Sequence, residues 1–123
     1  MRVHGLHHVS VVVRDTARSL HFYHELLGLA IIERRELGFP GAWLEVGGKQ
    51  IHLLEVSNCD PVDGRPTHVG RDRHIALIVD DIEEFARRLE QARIDFTRSR
   101  SGRKALFCRD PDGNGIELIQ APE

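Results

Sequence analysis

The 123-residue chain has little of what marks several protein classes. It carries only two cysteines, Cys59 and Cys108, too few and too isolated for a disulfide framework or a Cys-rich zinc site. Two reduced thiols fit a cytoplasmic protein. Neither charge sign dominates: 17 basic against 19 acidic residues give a formal charge of -2, which removes the electrostatic case for a nucleic-acid partner. Long apolar runs are missing. Val11-Val12-Val13 is typical, far below the ~20 residues that span a bilayer, so no membrane association is expected. The opening MRVHGLHHV has no secretory pattern. Methionine, tyrosine and tryptophan occur once each. Against these shortages stand eight histidines, the commonest metal ligand and the side chain that titrates near neutrality.

Their placement follows an internal repeat. His8-Val-Ser-Val-Val-Val-Arg-Asp15 matches His74-Ile-Ala-Leu-Ile-Val-Asp-Asp81 at an offset of 66 residues, and Gly48-Lys-Gln-Ile-His52-Leu matches Gly113-Asn-Gly-Ile-Glu117-Leu at 65. The chain therefore reads as two modules, about 1–57 and 71–123, joined by a Pro-, Gly- and Asp-rich linker over 58–70. Each module begins with a strand (6–13; 73–79) rich in β-branched residues. A helix follows. Asp81 with Glu84 forms a capping box ahead of the stripe Ile82, Phe85, Ala86, Leu89, while Asp15 or Thr16 caps the stripe Leu20, Tyr23, Leu26, Leu27, which Gly28 stops. Three strands complete each module: 29–36, 42–46 and 50–55, then 95–98, 104–109 and 115–120. Gly47-Gly48 and Asp110-Pro-Asp-Gly113 supply the turns. The predicted fold class is α+β: two tandem βαβββ modules forming one domain, an open cup-shaped mixed sheet with its helices outside.

Strand alternation then sorts the side chains. Val9, Val11 and Val13 belong under the first helix and His8 and Ser10 on the other face; Ile75, Leu77 and Val79 belong under the second helix and His74 on the other face. Pairing Val46 with Lys49 sets Trp43 opposite His52. Around the second turn, Phe107 is expected opposite Ile116 and Leu106 opposite Glu117. Four ionisable groups, His8, His52, His74 and Glu117, thus occupy equivalent positions on the face that no helix covers. Three imidazoles and a carboxylate suit a divalent ion such as Zn, Ni, Mn, Co or Fe(II). Trp43, Ser10 and Leu106 share those faces and are candidates to line a substrate pocket. Cys108 shares Leu106's face by count, as a pocket-side thiol or a buried inert one. The basic run Arg98, Arg100, Arg103, Lys104 reads as a solvated loop or as a holder of an anionic substrate tail.

The motifs LHHVSVVVRD, SLHFYHELLGL, RHIALIVDD and FCRDPDGNGIEL, with the repeat, cover nearly the whole chain. They resemble the vicinal oxygen chelate superfamily, which includes glyoxalase I, bleomycin-resistance proteins, fosfomycin-modifying transferases and extradiol dioxygenases. The resemblance implies a cup around a metal held by His8, His52, His74 and Glu117, and often a homodimer that shares its sites between subunits. It departs at His52, where bacterial glyoxalase I has a Glu, so Glu117 is left as the single candidate carboxylate base. The implied activity is a glyoxalase I-like lyase or isomerase acting on a small α-hydroxycarbonyl, in which the ion binds vicinal oxygens and stabilises an enediolate. The alternatives are a ferrous dioxygenase resting on the triad His8, His74 and Glu117, a thiol transferase, and a cup that binds an antibiotic without turnover.

Overall fold

The computed structural model describes residues 1–122 and divides into two compact units, Met1–Cys59 and Asp60–Glu123. In the first, β1 (His8–Val13) leads into α1 (Thr16–Leu20), which continues as a π-helical turn over His21–Leu26. Then come β2 (Ala30–Ile32), β3 (Gly41–Val46) and β4 (Lys49–Glu55). The second repeats the order: a single 3-10 turn at Val69–Arg71, β5 (His74–Val79), α2 (Ile82–Gln91), β6 (Phe96–Arg98), β7 (Ala105–Arg109) and β8 (Gly115–Gln120). The strand orders are β1-β4-β3-β2 and β5-β8-β7-β6, with the first pair parallel and the rest antiparallel in each. The class is α+β, two βαβββ modules, as the repeat predicts.

Each sheet buries the face its helix covers. Val13, Ala42, Leu44, Ile51 and Leu53 are buried, as are Phe22, Tyr23 and Leu27 of the first helical segment; Leu77, Leu106, Cys108, Ile116 and Leu118 are buried, as are Ile82, Ala86 and Leu89 of α2. Each large side chain removed from water contributes roughly 1.5–3 kcal/mol. Asp81 caps α2, accepting from the Glu83 and Glu84 backbone N–H groups, whereas Asp15 caps α1 through the Arg18 backbone N–H. A second cap escapes the sequence reading. The Glu55 carboxylate accepts from Thr16 N at 2.7 Å, and the Gln120 amide oxygen accepts from Ile82 N at 3.1 Å, so each last strand closes the start of its own module's helix.

Three expectations shift. The first helix is not regular: Leu27 N donates to Phe22 O, a π-type bond, before Gly28 at φ +79° ends it. β2 stops at Ile32, short of the expected 36. The loop between β7 and β8 is one residue longer than the four-residue turn, because Arg109 pairs with Gly115. Asp110 causes this: its Oδ1 accepts from the Asp112 and Asn114 backbone N–H groups and its Oδ2 from the Asn114 side chain, gathering five residues. The register therefore moves by one. Phe107, not Leu106, lies opposite Glu117, while Leu106 faces Leu118 and Cys108 faces Ile116. A one-residue change exchanges faces. Leu106 and Cys108 belong to the helix-covered core, which corrects the pocket-side placement of both.

The segment read as a linker is pinned to the second unit. Arg65 grips Asp72 with two hydrogen bonds, of 2.8 and 2.7 Å, and Arg109 joins the same carboxylate at 2.9 Å while also holding Pro66 O. These guanidinium groups, Arg65 foremost, hold the Asp72 carboxyl far below the usual carboxylate range.

Candidate functional site

In the first unit the parallel register sets Ser10 beside His52 and His8 beside Gln50, and the antiparallel one sets Trp43 beside His52. All five lie on the face away from α1. There the rings stack: His8 on His52 at 3.9 Å between centroids with planes 15° apart, and His52 on Trp43 at 4.3 Å and 8°. His52 is buried, and its Nε2–H donates to the Gln50 amide oxygen at 2.7 Å. Burial first, then His8, His7 and Arg34, lower its pKa, so it is held as neutral imidazole. His8 Nδ1 meets His7 Nδ1 at 2.8 Å.

In the second unit Ala76 and Phe107 flank Glu117 on the face away from α2, and His74 lies one place along β5 on that face. Glu117 is 3% exposed. Its Oε1 stands 3.0 Å from His74 Nε2 and its Oε2 accepts from Arg103 Nη2 at 2.9 Å. His74 Nδ1–H donates to the Asp72 carbonyl at 2.8 Å. Because that nitrogen carries the hydrogen, a neutral His74 presents the Nε2 lone pair to the carboxylate. Two acceptors at 3.0 Å need something between them: a hydrogen, on Nε2 or on Oε1, or a metal ion. The spacing also matches about 3.0 Å, the separation of two ligands with bonds of about 2.1 Å at a right angle.

The four proposed ligands differ in their surroundings. His74, exposed, and Glu117, buried, stand 3.0 Å apart on one face. His8 and His52 fit in type and face but not in orientation. Stacked this way, the two rings send their in-plane lone pairs along nearly parallel sheets, so one imidazole turns before both meet one ion close by. Among the described residues no three or more His, Cys, Asp or Glu side chains come together in a metal-binding group.

The fold brings Trp43 onto the His52 stack and leaves Ser10 exposed beside it, while Leu106 is fully buried elsewhere. Phe107, edge-on to His74 at 5.5 Å and to His68 at 4.9 Å, occupies the place expected for Leu106. Burial pushes the Cys108 thiol up to about 12, and Asp110 adds to it, which makes this cysteine inert at neutral pH. Arg103, read only as part of a basic run, is the one member of that run bound to Glu117.

Comparison with known proteins gives this geometry a context. The profile of the Glyoxalase/Bleomycin resistance protein/Dioxygenase superfamily matches residues 5–118. Glyoxylase I 4 of Arabidopsis thaliana is 35% identical over 120 residues, which span 93% of this chain and 69% of that protein. Glutathione transferase FosA of Serratia marcescens is 32% identical over 117 residues, 93% of this chain and 79% of that one. The crystal structure of a glyoxalase family protein from Bacillus anthracis superposes with a TM-score of 0.80 at 26% identity, covering 99% of this chain and all of that one.

Proposed function

The chain belongs to the Glyoxalase/Bleomycin resistance protein/Dioxygenase superfamily, and from that premise we propose that it is a metal-dependent enzyme of the glyoxalase I type. The substrate class is a small α-hydroxycarbonyl such as a hemithioacetal, and the reaction moves a hydrogen between its two oxygen-bearing carbons. The observation that carries this reading is the buried Glu117 carboxylate facing His74 Nε2 at 3.0 Å on the helix-free face. Four residues of this chain, His8, His52, His74 and Glu117, would hold a divalent cation. The cation would supply Lewis acidity toward the two vicinal oxygens.

The protein's own groups do the rest. Glu117 takes the proton from the hydroxyl-bearing carbon and returns it to the former carbonyl carbon. The surrounding Phe107 and strand backbone keep bulk water from it. The Asp72 carbonyl fixes the His74 tautomer, and so the nitrogen that faces the site. Trp43 and Ser10 line the substrate's approach. The active form is a homodimer. The test is anaerobic conversion of the hemithioacetal of methylglyoxal by protein loaded in turn with Ni, Co, Zn, Mn and Fe(II), with the product proton traced in deuterated water. Turnover without oxygen that Glu117→Gln abolishes supports the proposal; oxygen consumption with Fe(II) alone replaces it with the dioxygenase.

The FosA likeness favours a second reading, addition of a thiol to an electrophile. It predicts loss of free thiol in step with an epoxide substrate, and no isomerisation.

A further inference from the structure

On the helix-free face of the first sheet the registers lay side chains out in rows. One row is Ala30, Glu45, Gln50 and His8, and the next is Ile32, Trp43, His52 and Ser10. The third has Gly41, Leu54 and Val12, with no side chain on β3. Arg34, two residues beyond Ile32, fills that gap. Its Nε and Nη2 both lie 3.3 Å from where a Cβ on Gly41 would stand.

Among the described residues no carboxylate pairs with this guanidinium. It donates one hydrogen bond, from Nη2 to Phe39 O at 2.7 Å, and lies over the Phe39 ring at 5.1 Å. Among the described residues four of its five N–H donors have no acceptor, and the Nε atom is buried with none. Glu36, the acidic residue two places on, turns instead to the Gly38 N–H. Arg65 and Arg109, also half-buried, both pair with the Asp72 carboxylate. A half-buried cation with neither carboxylate nor a full set of acceptors costs stability unless something else supplies them.

We propose that Arg34 is the anion-recognition group of this site: the substrate carries a carboxylate or phosphoryl group that Arg34 takes, one sheet row, about 7 Å, from the His52–Trp43 stack. The inference rests on the reading that this face binds the substrate, and it gives that substrate a net negative charge. The guanidinium fork matches the planar or tetrahedral oxyanion, and the missing side chain at Gly41 makes the room.

Trp43 is the only tryptophan, so its fluorescence reports binding in the adjoining row. The experiment titrates metal-loaded protein with malonate, phosphonoacetate and the neutral malonamide, for wild type, Arg34→Gln and Arg34→Lys. Either anion, but not malonamide, quenches or shifts the wild-type signal. Arg34→Gln weakens that binding about ten- to hundredfold, and Arg34→Lys recovers part of it. Whichever anion binds more tightly identifies a carboxylate or a phosphoryl substrate. Anion binding to the metal itself persists in all three proteins, so the difference between them carries the result. Equal binding of malonamide, or no loss in Arg34→Gln, overturns the proposal. Should the variants fail to fold, the Arg34 Nε–Hε resonance of 15N-labelled wild type decides it: a shift with malonate supports the proposal, and an unmoved resonance sinks it. Arg34-dependent binding without isomerase turnover would leave the anion site standing and remove the proposed activity; the reverse would do the opposite.

Discussion

The two modules share one backbone plan but equip the same positions differently. In the first, the paired groups are His8 and His52, rings stacked face to face and extended by Trp43. In the second they are His74 and Glu117, hydrogen-bonded and continued to Arg103. Duplication preserves where a side chain points, because sheet register and alternation fix that. It does not preserve charge. All the negative charge of the proposed ligand set lies in the second unit, while the first contributes imidazole nitrogen donors and an aromatic wall.

That asymmetry can be broken from either side. The largest effect is expected from Glu117→Gln, which keeps shape but removes the base: turnover falls about 10²- to 10⁴-fold in a hemithioacetal assay, and a near-normal rate would move the base to the other module. Next, competition with a chromophoric chelator should show His74→Ala weakening metal affinity about a hundredfold and His52→Ala about tenfold, because His52 must leave its stack and Gln50 to coordinate. Equal losses would make the two units equivalent. Arg103→Gln should act in the opposite direction, tightening metal binding roughly three- to tenfold, since a cation that pairs Glu117 Oε2 competes with the ion. Weaker binding would instead make Arg103 a support for Glu117. The smallest contrast is in the caps. Urea unfolding should show Asp81→Ala costing about 1 kcal/mol and Asp15→Ala less, because Asp15 makes one capping bond and Asp81 two.

The repeat and the period-2 pattern made most of this fold legible. Strands that alternate Val with polar residues, and a helix opened by Asp81 and Glu84, announce themselves locally. The hairpin at Gly47-Gly48 was readable to the residue because Val46 pairs with Lys49 as expected. The turn at Asp110 was not, because its length depends on a side chain folding back on its own loop, and that one residue carried Leu106 and Cys108 to the wrong face. The stacking of His8, His52 and Trp43 was invisible for a related reason: alternation gives the face, not the torsion of a ring. Arg34 and Arg103 were harder still. Nothing in a line of residues distinguishes an arginine filling a glycine's notch, or reaching a buried glutamate, from one on a solvated loop.

The last strand of each module carries a proposed ligand and, three residues on, the side chain that closes the start of the helix behind it: His52 with Glu55, and Glu117 with Gln120. An odd spacing along a strand puts the two groups on opposite faces of the sheet. Sliding either strand by a single residue would therefore misplace a ligand and leave a helix N–H unsatisfied in the same step. Slippage in the sheet is opposed from behind, and the helices, though they contribute no atom to the chemistry, act as the gauge that keeps it in position.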